Sequence, residues 1–242
     1  MAKVNNAAKA ALGKIGSIDA PSASFADDYS ILLDGVDDHM TADDAGGVIS
    51  GDLGSLSMWF KLETYAHTAF LMHATVDSDN FIDIYYHGGT NQTRFEHKGG
   101  GSENTTVATT AVENNGWHHI VFTWDTSADS TVIYIDGSSV ATGDCDDFTG
   151  TIDAIDFGKK RGSSWLQWPG NFNDIAFFDD VLASGEVSTI YNSGDPKDES
   201  SHSGLVAYWK MEENTGTSVA DSSSNSNAMT LVNGAAFSSD TP

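Results

Sequence analysis

The chain has 242 residues, of which 11 are basic and 35 acidic, so its formal net charge is −24 at pH 7. This excess of negative charge repels phosphate backbones and anionic lipid, which excludes nucleic acid and membranes as expected partners. Hydrophobic residues make up 39% and charged residues 19%, with 24 glycines, a composition typical of short strands joined by frequent turns. The single cysteine, Cys145, excludes an intrachain disulfide.

Residues 1–24 differ from the rest of the chain and are called the arm. They contain Lys3, Lys9 and Lys14, together with Ala, Ile and Leu residues spaced for a short helix. Two interpretations stay open for the arm. It is either a terminal leader without a role or an anchor to a larger assembly.

From about residue 25 to residue 178, apolar and polar residues alternate with a period of two. In the run at 54–62, for example, Leu56, Met58, Phe60 and Leu62 share one face. The same period recurs at 29–35, 80–86, 116–125, 130–137, 151–158 and 171–178, with Gly, Asn and Asp in the gaps. Many short antiparallel strands predict an all-β fold, a sandwich or jelly roll.

The C-terminal part begins with one predicted short helix at 183–192, capped by Ser184 and stopped by Gly194. A polar linker follows at 195–203, and 204–237 contains two more strand-like runs. Two strands are too few for a second domain. Residues 25–242 are therefore predicted to form one sandwich, in which the C-terminal strands 204–237 complete its own sheet or a neighbour's.

Four segments resemble the laminin-G-like group of the concanavalin A-like lectin and glucanase superfamily in order and spacing. They are DGVDD (34–38), GWHHIVFTWD (116–125), VIYIDG (132–137) and the segment 170–192. The resemblance implies a concanavalin A-like antiparallel β-sandwich over about residues 25–195. In relatives a segment similar to 204–237 precedes the strand similar to 29–38, so the chain resembles a circular permutation. This arrangement also resembles tail and capsid-surface proteins of marine bacteriophages.

The second resemblance implies a non-catalytic structural or decoration protein at the surface of a virus particle, on the capsid or the tail. Its partners would be other virion proteins, copies of itself and a host-surface glycan. The alternative is a carbohydrate-binding, lectin-like module. A glycoside hydrolase is the third hypothesis, but it requires two carboxylates at a fixed separation. Glucanase relatives carry them on one strand, where this chain has only Asp83, so we expect no enzyme.

Calcium is the expected ion, because Asp- and Gly-rich turns supply the oxygen ligands that it prefers. The resemblance implies that Asp174 holds a structural calcium with partners near the first strand, for which Asp34 and Asp38 are the candidates. The alternative is an Asp174 carboxylate that accepts backbone amide hydrogen bonds without a metal. His118 and His119 are interpreted as strand residues, since no other His lies at a spacing that would complete a zinc site.

The segment 159–171 is the most basic cluster of this acidic chain and contains two tryptophans. A glycan site needs an aromatic platform flanked by hydrogen-bonding groups. The candidates for binding a glycan or a partner are Arg161, Trp165, Gln167, Trp168 and Asn171. We expect both tryptophans to be at least partly exposed, either to a glycan or to a partner protein. The third interpretation is that they pack over the sandwich edge.

Overall fold

The computed structural model describes residues 25–43, 49–63, 67–112, 115–164 and 166–242, so the arm lies outside the described residues. This part of the chain contains sixteen strands and one α-helix. They are β1 (Ser30–Asp34), β2 (His39–Thr41), β3 (Leu53–Leu62), β4 (Thr68–Asp77), β5 (Asn80–His87), β6 (Gln92–Gly99), β7 (Ser102–Ala108), β8 (Trp117–Asp125), β9 (Ser130–Ile135), β10 (Ser138–Gly143), β11 (Ala154–Phe157), β12 (Pro169–Phe178), α1 (Ser184–Tyr191), β13 (Leu205–Trp209), β14 (Ser218–Val219), β15 (Met229–Val232) and β16 (Ala236–Ser238).

The strands form two eight-stranded sheets. Sheet A has the order β10-β9-β8-β3-β12-β1-β16, with β13 paired to β12, and sheet B has the order β14-β15-β2-β11-β4-β5-β6-β7. Neighbouring strands pair antiparallel in both sheets. The predicted all-β sandwich with one short helix is confirmed. In the described ranges, no helix has the length and apolar character needed to cross a lipid bilayer.

The main hydrophobic core lies between the two sheets and forms one continuous cluster of buried side chains. Five fully buried aromatic rings cross its centre, namely Phe60, Phe157, Trp168, Phe172 and Trp209. The Trp168 ring meets Phe60 edge-on with centroids 5.6 Å apart. Burying one phenylalanine side chain contributes about 1.5–3 kcal/mol, so this row of rings holds the sheets together.

The helix α1 packs on the outer face of sheet A. Its buried residues Val187 and Ile190 join Val121, Tyr134 and Phe178 in a second hydrophobic cluster. Those three strand residues alternate with core residues, so they point away from the core. Sheet A is therefore covered on both faces around α1.

The helix ends differ from the prediction by one or two residues. Ala183, rather than Ser184, is the cap residue, and its backbone N–H donates to Glu186 at 2.8 Å. At the other end Asn192 adopts a left-handed conformation with φ 49°, two residues before the predicted stop at Gly194. Both asparagine and glycine tolerate this conformation, and the nearer one ends the helix.

The C-terminal strands complete both sheets of their own chain. The strand β13 pairs with β12, β16 pairs with β1, and β15 pairs with β2. Along one edge of β12, residues 169–172 pair with β1 and residues 175–178 pair with β13. Asp174 lies between these two partners at a register shift, with φ 46°. This point, where β1 and β13 meet on β12, is called the junction.

Candidate functional site

A row of polar side chains crosses the outer face of sheet B. The strand register places each member directly opposite the next on the neighbouring strand. Directly opposite residues in antiparallel strands share a face and lie within contact distance. From β2 to β7 the row consists of Thr41, Asp156, His73, Asp83, Glu96 and Thr105.

Asp83 forms the centre of this row and is completely buried. Its Oδ1 contacts Nδ1 of His73, and its Oδ2 accepts a hydrogen bond of 2.7 Å from Nζ of Lys160. A buried carboxylate is costly unless it is paired in this way. Lys160 comes from the loop after β11, so the pairing also fixes that loop above the sheet.

Arg161 occupies the neighbouring position in the same loop. Its Nε lies 2.9 Å from Asp156 Oδ2 and its Nη2 donates to Asp156 Oδ1 at 3.1 Å, a two-pronged contact to a buried carboxylate. Nη2 also donates to Asp43. Partial burial alone would raise the pKa of Asp43, but the hydrogen bonds from Arg161 and Thr41 outweigh it, so this pKa lies below its ordinary value.

A second acidic pair lies at the β6 and β7 end of the row. Burial, a hydrogen bond to Glu103 and the charge of Glu103 raise the pKa of Glu96 to about 7. Two carboxyl groups this close share a proton more readily than they both ionise. Around neutral pH a substantial share of Glu96 therefore keeps a proton that an isolated glutamate would have lost.

Aromatic rings flank the row on both sides of Lys160. The rings of Phe70 and Tyr85 stack with centroids 5.0 Å apart. The ammonium of Lys160 lies 5.2 Å from the Phe70 centroid and 5.0 Å from the Phe81 centroid, which is cation–π distance. Lys160 therefore bridges the polar row and its aromatic border.

Two depressions open on the two sides of Arg161. The first measures about 380 Å³ and is lined by His73, Thr75, Asp77, Phe81, Lys160 and Arg161. The second measures about 290 Å³ and is lined by Thr41, Asp43, Ser226, Asn227, Ala228 and Thr230. Arg161 lines the first depression and also donates hydrogen bonds to Thr41 and Asp43 of the second, so its side chain lies between the two. The two depressions with Arg161 between them are called the groove.

The predicted glycan-binding residues divide between the surface and the interior. Arg161 lies in the groove, whereas Gln167, Trp168 and Asn171 are buried. Trp165 lies outside the described residues. The expectation that Trp168 is partly exposed is wrong: its ring is 0% exposed and its Nε1 donates to the Lys61 carbonyl at 3.3 Å.

The physical reason is the path of segment 159–171. The Trp168 N–H donates to the Gly158 carbonyl at 2.8 Å, which closes the loop and turns the chain back into the sandwich. Asn171, already in β12, donates to Ser30 Oγ at 3.0 Å. The loop therefore presents its cations to solvent and its last tryptophan to the core.

The structure brings two of the predicted calcium ligands together, Asp34 and Asp38, and separates Asp174 from them. Asp34 pairs in register with Pro169, at the opposite end of the β1 pairing from the junction where Asp174 lies. Asp34, Asp37 and Asp38 have carboxylate oxygens within 4.8 Å of one another, the one such group of three in the described ranges. The Asp38 carboxylate accepts hydrogen bonds from the backbone N–H groups of Asp34 and Gly234, so it also holds two turns of the chain together.

Asp174 instead belongs to an acidic group at the junction. Its Oδ1 accepts from the Tyr208 hydroxyl at 2.8 Å, while its Oδ2 is buried without a hydrogen-bond partner. Burial raises the pKa of Asp174 well above its ordinary value, and the charges of Asp27 and Glu212 add to the shift. An unpaired buried oxygen among like charges fits a hard divalent cation, which prefers carboxylate ligands.

The paired histidines of β8 have structural partners. His118 Nδ1 lies 2.8 Å from Asp136 Oδ2, and His119 Nε2 lies 2.8 Å from Ser57 Oγ. Burial lowers the pKa of His119 to about 3, so its ring is neutral. Neither histidine joins a group of potential metal ligands in the described part of the chain.

Several groove residues were missed by reasoning from the sequence alone. His73, Lys160 and Glu96 lie on three different elements. Strand register brings His73 and Glu96 to Asp83, and the loop after β11 brings Lys160. The one available signal was the charged alternation of β6, where Arg94, Glu96 and Lys98 share a face.

The fold and the groove define a lectin-like β-sandwich. The sequence profile of the concanavalin A-like lectin/glucanases superfamily, of the laminin-G type, matches residues 34–188. The chain belongs to this family. None of the curated proteins matches its sequence.

Several solved structures are similar to this one. A heptameric SAP-like pentraxin from Limulus polyphemus has 13% identity and a TM-score of 0.59, over 85% of this chain and 94% of that chain. A putative carbohydrate binding protein from Bacteroides ovatus has 15% identity and a TM-score of 0.61, over 87% of this chain and 59% of that chain. Domain 4 of a Geobacillus stearothermophilus arabinanase, in complex with arabinotriose, has 18% identity and a TM-score of 0.56, over 67% and 76%. At these identities the likeness shows the fold alone.

Proposed function

We propose that this protein is a non-catalytic carbohydrate-binding module whose ligand lies in the groove on the outer face of sheet B. The observation that carries the proposal is the polar row that crosses sheet B and opens into two depressions beside Arg161. Hydroxyl groups of a sugar both donate and accept hydrogen bonds, and fixed carboxylates, hydroxyls and guanidinium groups match them.

The apolar border of the groove supports the same proposal. Sugars also present C–H faces, which pack on aromatic rings. Phe81 lines the first depression, and Phe70 and Tyr85 stack beside it. The similarity to a carbohydrate binding protein and to an arabinotriose-bound domain favours a glycan ligand over other small molecules.

Binding without hydrolysis is the form of this proposal that the groove favours. Asp83 of β5 does lie directly opposite Glu96 of the neighbouring strand β6. A motif within one strand cannot reveal this acidic pair. Hydrolysis needs one carboxyl group as acid and another free to attack or to activate water. Asp83 is buried and held by His73 and Lys160, so it is not free for either role.

We also propose that calcium is held at the junction rather than by a site that joins Asp174 to Asp34 and Asp38. Asp174 supplies the unpaired oxygen. Asp27 and Glu212 are acidic neighbours whose charges act on Asp174, and Glu212 already ties the N–H of Asp28 to the junction at 3.0 Å. The oxygens of these three carboxylates do not lie within 4.8 Å of one another, so the side chains would close around the ion when it binds. A calcium ion would neutralise these charges and fasten β1 and β13 to β12.

We also propose that the protein lies on the surface of a virus particle, a proposal that rests on the sequence and not on the groove. It is supported by the resemblance of the permuted strand order to phage surface proteins and by the positive charge of the arm. The comparisons favour the lectin-like module, and the two roles are compatible because surface attachment can use a glycan-binding groove. The C-terminal strands carry no support for it, since they pair within their own chain.

Titration calorimetry of the full chain against a panel of oligosaccharides tests the groove. Thr75→Trp fills the first depression and Thr230→Trp fills the second, and both positions lie on strands of sheet B. Each is expected to weaken binding about tenfold or more, a loss of about 1.4 kcal/mol. Thr105→Trp is the matched control, an exposed position of the same row outside both depressions. Equal affinity in all four proteins would place the ligand elsewhere.

A further inference from the structure

The cations that line the groove are already paired with carboxylates of this chain. Lys160 Nζ bonds Asp83, and Arg161 contacts Asp156 and Asp43. Asp83 and Asp156 are buried, so neither can turn to solvent and release its cation. Lys159, the preceding basic residue, lines neither depression.

This pairing decides what charge the groove accepts. A carboxylate or sulfate on a ligand finds the charge of Lys160 and Arg161 already compensated. To form a full ion pair it would have to draw the cation away from a buried partner, which leaves an uncompensated buried charge. Exposed carboxylates stand in each depression as well, Asp77 in the first and Asp43 in the second. The net charge of −24 adds long-range repulsion of anions.

Uncharged hydroxyls meet no such penalty. The side chains of Lys160 and Arg161 remain 34% and 37% exposed, so they can donate further hydrogen bonds while keeping their carboxylate partners. Asp43 and Asp77 can accept from sugar hydroxyls in the same way. Arg161 borders both depressions, so a ligand that crosses it reaches both sets of groups.

We propose that the groove binds an uncharged glycan chain that crosses Arg161 and occupies both depressions, and that it rejects glycans carrying uronate, sulfate or sialic acid. This inference rests on the proposed carbohydrate-binding function and narrows its ligand class. The selectivity arises because Lys160 and Arg161 are already paired with buried carboxylates of the protein.

Two matched ligand sets test it by calorimetry with the full chain. One set contains neutral oligosaccharides such as arabinotriose and gluco-oligosaccharides, and the other contains their uronate or sulfated counterparts and sialyllactose. The neutral set is expected to bind at least tenfold more tightly. Equal or tighter binding of the acidic set overturns this inference and leaves the carbohydrate-binding proposal intact. No binding in either set overturns both.

One substitution examines the cause of the selectivity. Asp43→Ala removes the more exposed partner of Arg161 and leaves its buried partner, Asp156, in place. The variant is expected to gain affinity for the acidic set by about tenfold. Asp195→Ala is the control, because it removes one exposed negative charge from the segment after α1. An equal gain in both variants assigns the selectivity to net charge and overturns the role of pairing.

Discussion

Asp38 accepts a hydrogen bond of 2.6 Å from the backbone N–H of Gly234, which lies 196 positions further along the chain. The other oxygen of the same carboxylate accepts from the N–H of Asp34 at 3.1 Å. Asp38 is buried, so these bonds are shielded from water. The Asp38 side chain therefore joins the turn after β1 to the turn between β15 and β16. This contact, called the Asp38 clamp, fastens the C-terminal strands to the rest of the same sandwich.

We expect Asp38→Ala to lower the free energy of unfolding by about 1–3 kcal/mol, because it leaves two N–H groups without an acceptor. Urea unfolding followed by tryptophan fluorescence measures the change. Asp37→Ala is the control, since that neighbouring side chain is exposed. If both variants lose the same stability, the clamp does not depend on Asp38.

The sequence predicted the fold well because the signal for it is local. Alternation at 54–62 and at 171–178 marked β3 and β12, and the Asp136-Gly137 turn marked a hairpin between β9 and β10. The strand β4 was not predicted, because residues 69–74 are buried on both faces and polar alternation is lost. The strands β6 and β7 were not predicted either, although buried and partly exposed residues alternate along β6.

The groove could not be predicted in the same way, because its contacts depend on register between strands. Asp83 and Glu96 have no sequence spacing that marks them as neighbours, and Lys160 reaches Asp83 only after the loop folds over the sheet. Trp168 was predicted to be exposed because it lies in a polar, basic segment. Its backbone N–H donates to the Gly158 carbonyl, and this hydrogen bond closes the loop so that the ring points into the core.

Calcium is expected to raise the melting temperature of the full chain, because a ligand that binds only the folded state stabilises it by mass action. Differential scanning fluorimetry in excess calcium and in chelator measures the shift. Asp174→Asn should abolish it and Asp38→Asn should preserve it. The reverse pattern would move the ion to the Asp34, Asp37 and Asp38 turn, and an identical melting temperature in calcium and chelator would reject the site altogether.

The junction also predicts how stability depends on pH when calcium is removed. Burial, with the charges of Glu212 and Asp28, raises the pKa of Asp27 to about 6. An acid whose pKa is higher in the folded state is favoured there in its protonated form. Its contribution is therefore complete below its ordinary pKa, about 4, and is lost as the pH rises to about 6.

We expect Asp27→Asn to flatten the fall in unfolding free energy between about pH 4 and pH 6, measured in chelator. Asp28→Asn, a change at the exposed neighbour, is the control and should keep the wild-type slope. A slope unchanged by Asp27→Asn would assign this pH dependence to other groups, of which Asp174 is the first to examine because burial raises its pKa as well.

No release of reducing sugar is expected from neutral or acidic polysaccharides, because Asp83 is buried and held by two cationic or hydrogen-bonding partners. The assay should run at pH 5 and pH 7, since the pKa of Glu96 is about 7 and its protonation changes across that interval. Turnover abolished by Glu96→Gln, with Glu63→Gln as the exposed control, would show that the groove is catalytic.

Association between copies is expected to depend on the arm. Lys3, Lys9 and Lys14 are positive in a chain of net charge −24, so the arm can bind an acidic surface of another copy or of another particle protein. The C-terminal strands do not need a neighbour's sheet, because they already pair with β12, β1 and β2 of their own chain. Attraction between exposed charges is screened over about 8 Å at physiological ionic strength, so association should weaken as salt is added.

Light scattering of the full chain over a range of protein and salt concentrations measures this association. Replacing the three arm lysines by glutamine should favour the monomer, whereas replacing Lys98, Lys159 and Lys197 removes the same charge from the body and should not. A wild-type chain that stays monomeric at high concentration, and whose arm contacts no other chain in a native particle, would rule out the arm as an anchor.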